Sequence, residues 1–240
     1  MVENKILNFI KMQWDGFLHI IYPEICIACN DQLIEVENAF CFDCYSKLPF
    51  SYQINEPLND FVKHFEGKVN ITHGAALFYF IKSGVVQNII KKLKYHDKPD
   101  YGIKMGEIFG RALSSDNKYG KIDIVIPVPL HPKKESKRGY NQSLMFAKGI
   151  ANVLKCEINS NNLIRIKNTI TQTKLSNQQR MKNVHGAFKV IEPIIFENKH
   201  ILIVDDVLTT GSTLMACYFA LESIKGVNIS FATIASGDLI

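Results

Sequence analysis

The densest chemistry in the sequence is the run Ile201-Leu202-Ile203-Val204-Asp205-Asp206-Val207-Leu208-Thr209-Thr210-Gly211-Ser212-Thr213. Four apolar residues in a row read as a buried strand, and it delivers two adjacent carboxylates into a turn. Thr209, Thr210, Ser212 and Thr213 surround Gly211 just ahead of a helical period, so hydroxyls, free backbone amides and the positive end of a helix converge on one anion. Asp205 and Asp206 carry the acceptors to grip ribose hydroxyls, directly or through magnesium and its waters. A phosphate cradle thus lies beside a diol clamp. A Walker-B strand also ends in acids, but no G-x-x-x-x-G-K-[ST] accompanies this one. A receiver domain would need several more strand and helix units than the 34 residues after Asp206 allow. A plain capped helix explains one hydroxyl, not two acids followed by four hydroxyl residues.

A second chemistry sits near the N-terminus. Cys26-x-x-Cys29 and Cys41-x-x-Cys44 are separated by eleven residues. Each turn points two thiolates at one place, and two turns complete the tetrahedral four-sulfur shell of a closed, structural zinc site. The rival is a pair of disulfides, which a reducing compartment disfavours. Cys156 and Cys217 stand alone and read as core residues, Cys217 on the helical stripe Leu214, Cys217, Leu221, Ile224.

The elements that must position these groups follow from periodicity. Residues 4–21 carry Ile6, Ile10, Trp14, Phe17, Leu18 and Ile21 at helical spacing, an amphipathic helix whose apolar face packs on the main domain or meets a membrane surface or another protein. Beyond residue 70 the pattern predicts strands at 75–80, 122–128, 163–166, 187–191, 201–204 and 227–235. Helices are predicted at 85–94, 104–113, 142–154 and 212–224. Continuous apolar strands separated by helices predict a parallel sheet covered on both faces, with ligands at the carboxyl ends of the strands. The expected organisation is a helix over 1–22, a four-cysteine module over 23–50 and an α/β domain over 70–240.

Composition sets the outer bounds. At 47% hydrophobic and 21% charged residues the 240-residue chain has globular, not disordered, composition. Lys11, Asp15 and His19 interrupt the apolar stretch from Ile6 to Ile21, so no spanning helix is expected. No secretory signal pattern is visible, and the cytoplasm is the expected location. The net charge of +5 is uneven: residues 1–120 hold 13 basic and 14 acidic residues, residues 121–240 hold 15 and 9. Twelve basic residues against two acids between Lys133 and Lys189 suit phosphates or a polyanion.

The run from Ile201 to Thr213 resembles the ribose-phosphate motif of type I phosphoribosyltransferases, which bind 5-phosphoribosyl-1-pyrophosphate (PRPP) with magnesium. Further segments resemble the ComF family: the four-cysteine module, Lys91-Lys92-Leu93-Lys94-Tyr95, Pro127-Val128-Pro129-Leu130, Arg138-Gly139-Tyr140-Asn141-Gln142, and Thr169-x-x-Gln172-x-x-Leu175-Ser176-x-x-x-Arg180-x-x-Asn183. The resemblance runs from about Tyr22 to Ala235. It implies an α/β fold, a type I phosphoribosyltransferase-like parallel sheet with flanking helices plus a small zinc-binding module, and a link to natural transformation. It also implies that Pro127, Val128 and Pro129 form the pyrophosphate loop and that Asp205 and Asp206 hold the ribose hydroxyls. Val207, Leu208, Thr209, Thr210, Gly211, Ser212 and Thr213 would take the 5′-phosphate. Arg138 and Arg180 are the basic groups expected to meet the pyrophosphate, Arg180 from a closing loop over 171–182.

Catalysis by such a site would rest on electrostatics and positioning around an oxocarbenium-like transition state, with Asp205, Asp206, Arg138 and Arg180 as its carriers. No general base is identified; His131 follows the pyrophosphate loop closely enough to be a candidate, and its place ahead of Pro132 also suits a turn-shaping residue. Three functions fit these residues. One is a PRPP-binding ComF-like protein acting in DNA uptake, with single-stranded DNA or uptake proteins as partners. Another is a metabolic phosphoribosyltransferase acting on a base or amine. The third is a nucleic-acid-binding module that uses the basic half without catalysis.

Overall fold

The computed structural model describes residues 23–56, 58–95, 98–115, 119–166 and 186–237. The expected N-terminal helix over 4–21 and the loop over 171–182, with Arg180, lie outside the described residues. The chain divides after Leu48 into two units, Met1–Leu48 and Pro49–Ile240.

In the first unit, backbone hydrogen bonds fold the chain around its cysteines. The amide of Cys26 donates to the carbonyl of Asp31, Asn30 donates back to Cys26, and Ile27 donates to Ala39. Asn30 takes the left-handed conformation (φ 69°) that closes the first knuckle. Cys41 caps helix α1 (Phe42–Lys47) with its own sulfur, which accepts from the amide of Cys44.

In the second unit the apolar runs build one five-stranded, wholly parallel sheet. Its strands are β1 (Gly74–Tyr79), β2 (Ile124–Pro127), β3 (Glu157–Ile158), β6 (His200–Leu208) and β7 (Asn228–Ser236), in the order β1-β7-β6-β2-β3. Ile201 to Val204 and most of β7 are fully buried, as a sheet covered on both faces requires. Helices α3 (Val85–Tyr95), α4 (Pro99–Ser115), α5 (Pro132–Arg138), α6 (Gln142–Leu154) and α7 (Ser212–Leu221) fill the connections. The stripe Leu214, Cys217, Leu221 and Ile224 is buried, as its spacing predicts.

Residues 49–70, which periodicity leaves between the two regions, join the larger unit because the edge of β1 needs partners. Phe50 bridges antiparallel to Phe78, Ser51 Oγ donates to the carbonyl of Ala76, and Gln53 Oε1 accepts from the amide of Ala76 at 3.0 Å. Helix α2 (Asp60–Phe65), capped by Asn59, then sends Phe61 and Phe65 into the core, both fully buried.

Two expectations are corrected. Residues 163–166 and 187–191 do not enter the parallel sheet: β4 (Leu163–Arg165) and β5 (Phe188–Val190) pair antiparallel as a separate ribbon. Both runs are short, and the alternation at Lys189, exposed between buried Phe188 and Val190, is that of a one-sided strand. Cys156 is half-buried rather than core, because β3 beside it is a two-residue edge strand with solvent on one side.

Helices α4 and α6 are pressed together through glycine. A Cβ on Gly149 would lie 2.0 Å from the carbonyl oxygen of Ile103, and one on Gly106 would lie 2.2 Å from that of Phe146. The obstacle is backbone, so the helices would have to part. Gly149→Ala is expected to lose about 1–3 kcal/mol despite alanine's better helix propensity. Gly110→Ala, whose nearest neighbour is Val153 Cβ at 3.0 Å, should lose less. Urea unfolding of both variants checks the ordering.

Candidate functional site

The site begins with unequal ladders. β2 and β6 pair as far as Pro127 with Val204, after which the amide of Val128 donates to the carbonyl of Val204 at 2.9 Å and the β2 chain turns away. β6 continues against β7 through the pairs Asp205–Thr233, Val207–Ala235 and Leu208–Ser236. Asp205 and Asp206 therefore ride on the strand itself, not on the turn after it, beside the turn of Pro127, Val128 and Pro129.

The N-terminus of α6 closes the near side. Asn141 caps it by accepting from the amide of Ser143, and its Nδ2 donates to the carbonyl of Val128 at 3.0 Å. Ser143 Oγ donates to Asp205 Oδ1 at 2.9 Å, and the same carboxylate oxygen accepts from the amide of Asp206 at 2.8 Å. From α3, Lys94 Nζ reaches Asp206 Oδ2 at 2.8 Å. Lys94 and Ser143 are site residues that periodicity does not reveal. The signal for the first was the segment Lys91-Lys92-Leu93-Lys94-Tyr95, and for the second the position two residues after a capping asparagine.

After Leu208 the chain turns through exposed Thr209 and Thr210 to Gly211, which stands at φ +70° as the N-cap of α7. A side chain there would meet Phe65 Cε1 at 2.6 Å and His64 Nε2 at 3.3 Å, so the turn is closed from behind by α2. Gly211 has no side chain to cap α7, and the amide of Ser212 donates instead to Thr210 Oγ1 at 3.5 Å. The Thr210 and Ser212 hydroxyls are hydrogen-bonded to each other at 2.9 Å. This turn lies at the carboxyl end of β6, where the sequence pattern predicts an anion cradle.

Arg138 ends α5 and is already engaged: Nη1 donates to Gln142 Oε1 at 2.7 Å, and the guanidinium stands 6.0 Å from the centre of the Tyr95 ring. It borders the acid pair through Gln142 and α3 rather than touching it. His131 offers its carbonyl to the amides of Lys134 and Glu135 at the start of α5, the turn-shaping role its place before Pro132 suggests.

Burial pushes the Asp205 carboxyl up to about 7, and the neighbouring Asp206 adds to the rise; the Asp206 amide, Ser143 and Lys94 oppose it. In the unfolded chain the same group titrates near 3.8. Between about pH 4 and 7 the folded protein thus holds a proton that the unfolded chain releases, and this contribution to stability is lost as pH rises through that window. Asp205→Asn keeps the acceptor for Ser143 and removes the titration. Its stability relative to wild type should increase from pH 4 to pH 7 and then level off, as thermal melts across that range would show. Taking the difference cancels His64 and His200, both held below the usual histidine range, chiefly by burial.

In the first unit the sulfurs of Cys26, Cys29, Cys41 and Cys44 all lie within 4.8 Å of one another, a set able to hold one metal ion. The Cys26 thiol is drawn down to about 7: burial opposes its thiolate, but amides of Cys29, Cys41 and Ala28 outweigh it. Cys44 is held up to about 11 by burial and by hydrogen bonds among the thiols. Among the described residues no helix is long and apolar enough to cross a membrane.

Residues 140–238 match the family described as Phosphoribosyl transferase domain. The chain is 38% identical over 92 residues to the DNA utilization protein YhgH of Salmonella typhi, a match spanning 38% of this chain and 40% of that protein. It is 27% identical over 212 residues to Competence protein F of Haemophilus influenzae, covering 86% of this chain and 88% of the relative. Among solved structures, adenine phosphoribosyltransferase from Leishmania tarentolae superposes with a TM-score of 0.41 at 12% identity, over 68% of this chain and 92% of that one. The chain is thus similar to Competence protein F over most of its length, and residues 140–238 match a phosphoribosyltransferase domain in a unit built on a parallel sheet, with a four-cysteine cluster in the first unit.

Proposed function

We propose that this protein binds PRPP with magnesium at the carboxyl end of β6 and acts in DNA uptake, its N-terminal unit being held together by a structural zinc ion. The observation that carries the reading is the convergence of Asp205 and Asp206, the uncapped start of α7 and the Pro127–Pro129 turn at one end of one sheet. In this reading Thr209, Thr210, Gly211, Ser212 and Thr213 take the 5′-phosphate, with the backbone of Val207 and Leu208 leading into the cradle. Asp205 and Asp206 take the ribose hydroxyls, and Pro127, Val128 and Pro129 line the pyrophosphate. Arg138 and Arg180 supply positive charge to the leaving pyrophosphate.

The acid pair fits magnesium as a donor set, since hard oxygen ligands beside a ligand's own phosphates are its usual environment. Bound there, the ion would neutralise charge on the pyrophosphate. The chain's own residues orient the sugar: the carboxylates fix its hydroxyl face while the helix end fixes its phosphate. Transfer of a phosphoribosyl group would need only that alignment and a nucleophile. The process is inferred from the relatives, whose names refer to competence and DNA utilization. Cysteines that are all unbridged suit a reducing compartment, in line with a cytoplasmic place.

Calorimetric titration with PRPP tests the site. Wild type should bind in a magnesium-dependent manner, and a folded Asp205→Asn, Asp206→Asn double variant should not. Absence of binding to the wild type would reduce the site to an inherited fold. The zinc reading has its own test. The purified chain should carry one zinc per molecule, and chelation should abolish amide-exchange protection in 23–48 while leaving the sheet of the second unit protected. Unchanged protection in 23–48 would show that the metal does not hold that unit.

A further inference from the structure

We propose that Lys94 is a resident counter-cation of the acid pair, and that its ammonium group and a divalent metal ion occupy Asp206 in turn. The inference rests on the ribose-phosphate reading for the identity of the site, and adds a binding residue which that reading leaves out.

Lys94 and Asp206 come from different elements and meet at 2.8 Å, with only 22% and 16% of their side chains exposed. An ion pair this far out of water recovers little net stability, because desolvation of both charges offsets their attraction. The helix end alone does not account for it. Lys92 and Lys94 both lie in the last turn of α3, where the helix dipole favours cations, yet that preference is satisfied by a side chain in solvent. Lys94 instead crosses to a carboxylate on β6.

The backbone on both sides of Lys94 is held for this. Leu93, fully buried, gives its carbonyl to the hydroxyl of Tyr140, and the ring of Tyr95 lies under the guanidinium of Arg138. Both clamps come from the segment that leads into α6, the helix whose Ser143 holds Asp205. Gly102 lets α4 close on α6 beside Leu93, since a Cβ there would meet Met145 Cβ at 2.6 Å, while Leu93 Cδ1 at 3.4 Å packs against the same spot. Two adjacent carboxylates thus share one hydroxyl donor and one ammonium. A divalent cation offers twice the charge to the same oxygens and must displace that ammonium to reach Asp206. Once displaced, Lys94 stays at the rim of a site built for phosphate groups, where its charge is again useful.

The test uses the full zinc-loaded chain and manganese as a paramagnetic stand-in for magnesium, titrated at pH 8 and followed by electron paramagnetic resonance without any sugar phosphate. Lys94→Gln should bind manganese more tightly than wild type by on the order of tenfold, the scale on which a neighbouring opposite charge alters a carboxylate's affinity for a cation. Lys94→Arg should stay near wild type, and Lys94→Gln with Asp206→Asn should lose the gain. A folded Lys94→Gln that binds no tighter overturns the proposal. The wild type supplies a second readout that survives any folding failure of the variant: saturating manganese should raise the acetylation rate of Lys94, read by mass spectrometry, and an unchanged rate overturns the exchange. PRPP titration of the same samples keeps the two readings apart. Loss of PRPP binding with the manganese contest intact removes the proposed ligand and leaves the role of Lys94 standing.

Discussion

The ladder between β6 and β7 outlasts the ladder between β6 and β2 by four residues, Asp205 to Leu208, and the candidate site exists because of that difference. Had β2 continued, its backbone would cover the flank on which the two acids sit. Had β6 stopped at Val204, the acids would hang from a turn with nothing to fix them. The long ladder on one side supplies rigidity, and the open flank on the other supplies access. Everything nearby then serves to finish the open flank: Asn141 ties the start of α6 to Val128, and Ser143 and Lys94 take up the acids. This is the general behaviour of parallel sheets, in which ligands gather where neighbouring strands part company.

Much of this was legible in the sequence because it is local. Two acids, four hydroxyls and a glycine after an apolar run are contiguous, and the backbone needs no tertiary help to bring them together. The cysteine pairs are legible for the same reason, since each knuckle closes within four residues. Contributions from distant elements were not. Lys94 lies more than a hundred residues from Asp206, and nothing in the period of α3 distinguishes it from Lys91, which points to solvent. Helix α2 was missed because six residues are too few to show a period, yet Phe65 and His64 decide that position 211 must be glycine. The antiparallel ribbon was misplaced for a related reason: runs of four and five residues broken by Arg165 and Lys189 carry no information about which sheet they join. The spacing of Gly102, Gly106 and Gly110 at every fourth residue was in plain sight, and its meaning appears only once α6 is seen against it.

The two units reach stability by different physics. The larger one has a core rich in phenylalanine, isoleucine and leucine, gathered from β2, β6, β7 and the elements packed against them. Among its described residues the smaller one has few buried apolar side chains, notably Ile27, Leu33, Phe40 and Leu48, beside a four-sulfur cluster. A segment of that size cannot bury enough surface to offset its chain entropy, so a metal ion is the natural substitute. The amides of Cys41 and Cys44 donate to the sulfurs of Cys26 and Cys41, so part of the backbone already turns toward the cluster.

The larger unit also carries a cost at its site. A buried carboxylic acid beside a second one, and a lysine withdrawn from water to face them, are arrangements that a stability-driven sequence would replace with apolar side chains. They persist on the stiffest part of the molecule. β6 is paired on both sides up to Val204, and α6 is locked to α4 by backbone contact that admits no side chain. That rigidity keeps Ser143 on Asp205 and holds Asp206 where Lys94 meets it without a ligand present, so the groups do not have to be gathered when one arrives. A site organised in advance spends its binding energy on the ligand instead of on its own assembly, and the glycine-packed helix pair is the feature that makes such organisation possible here.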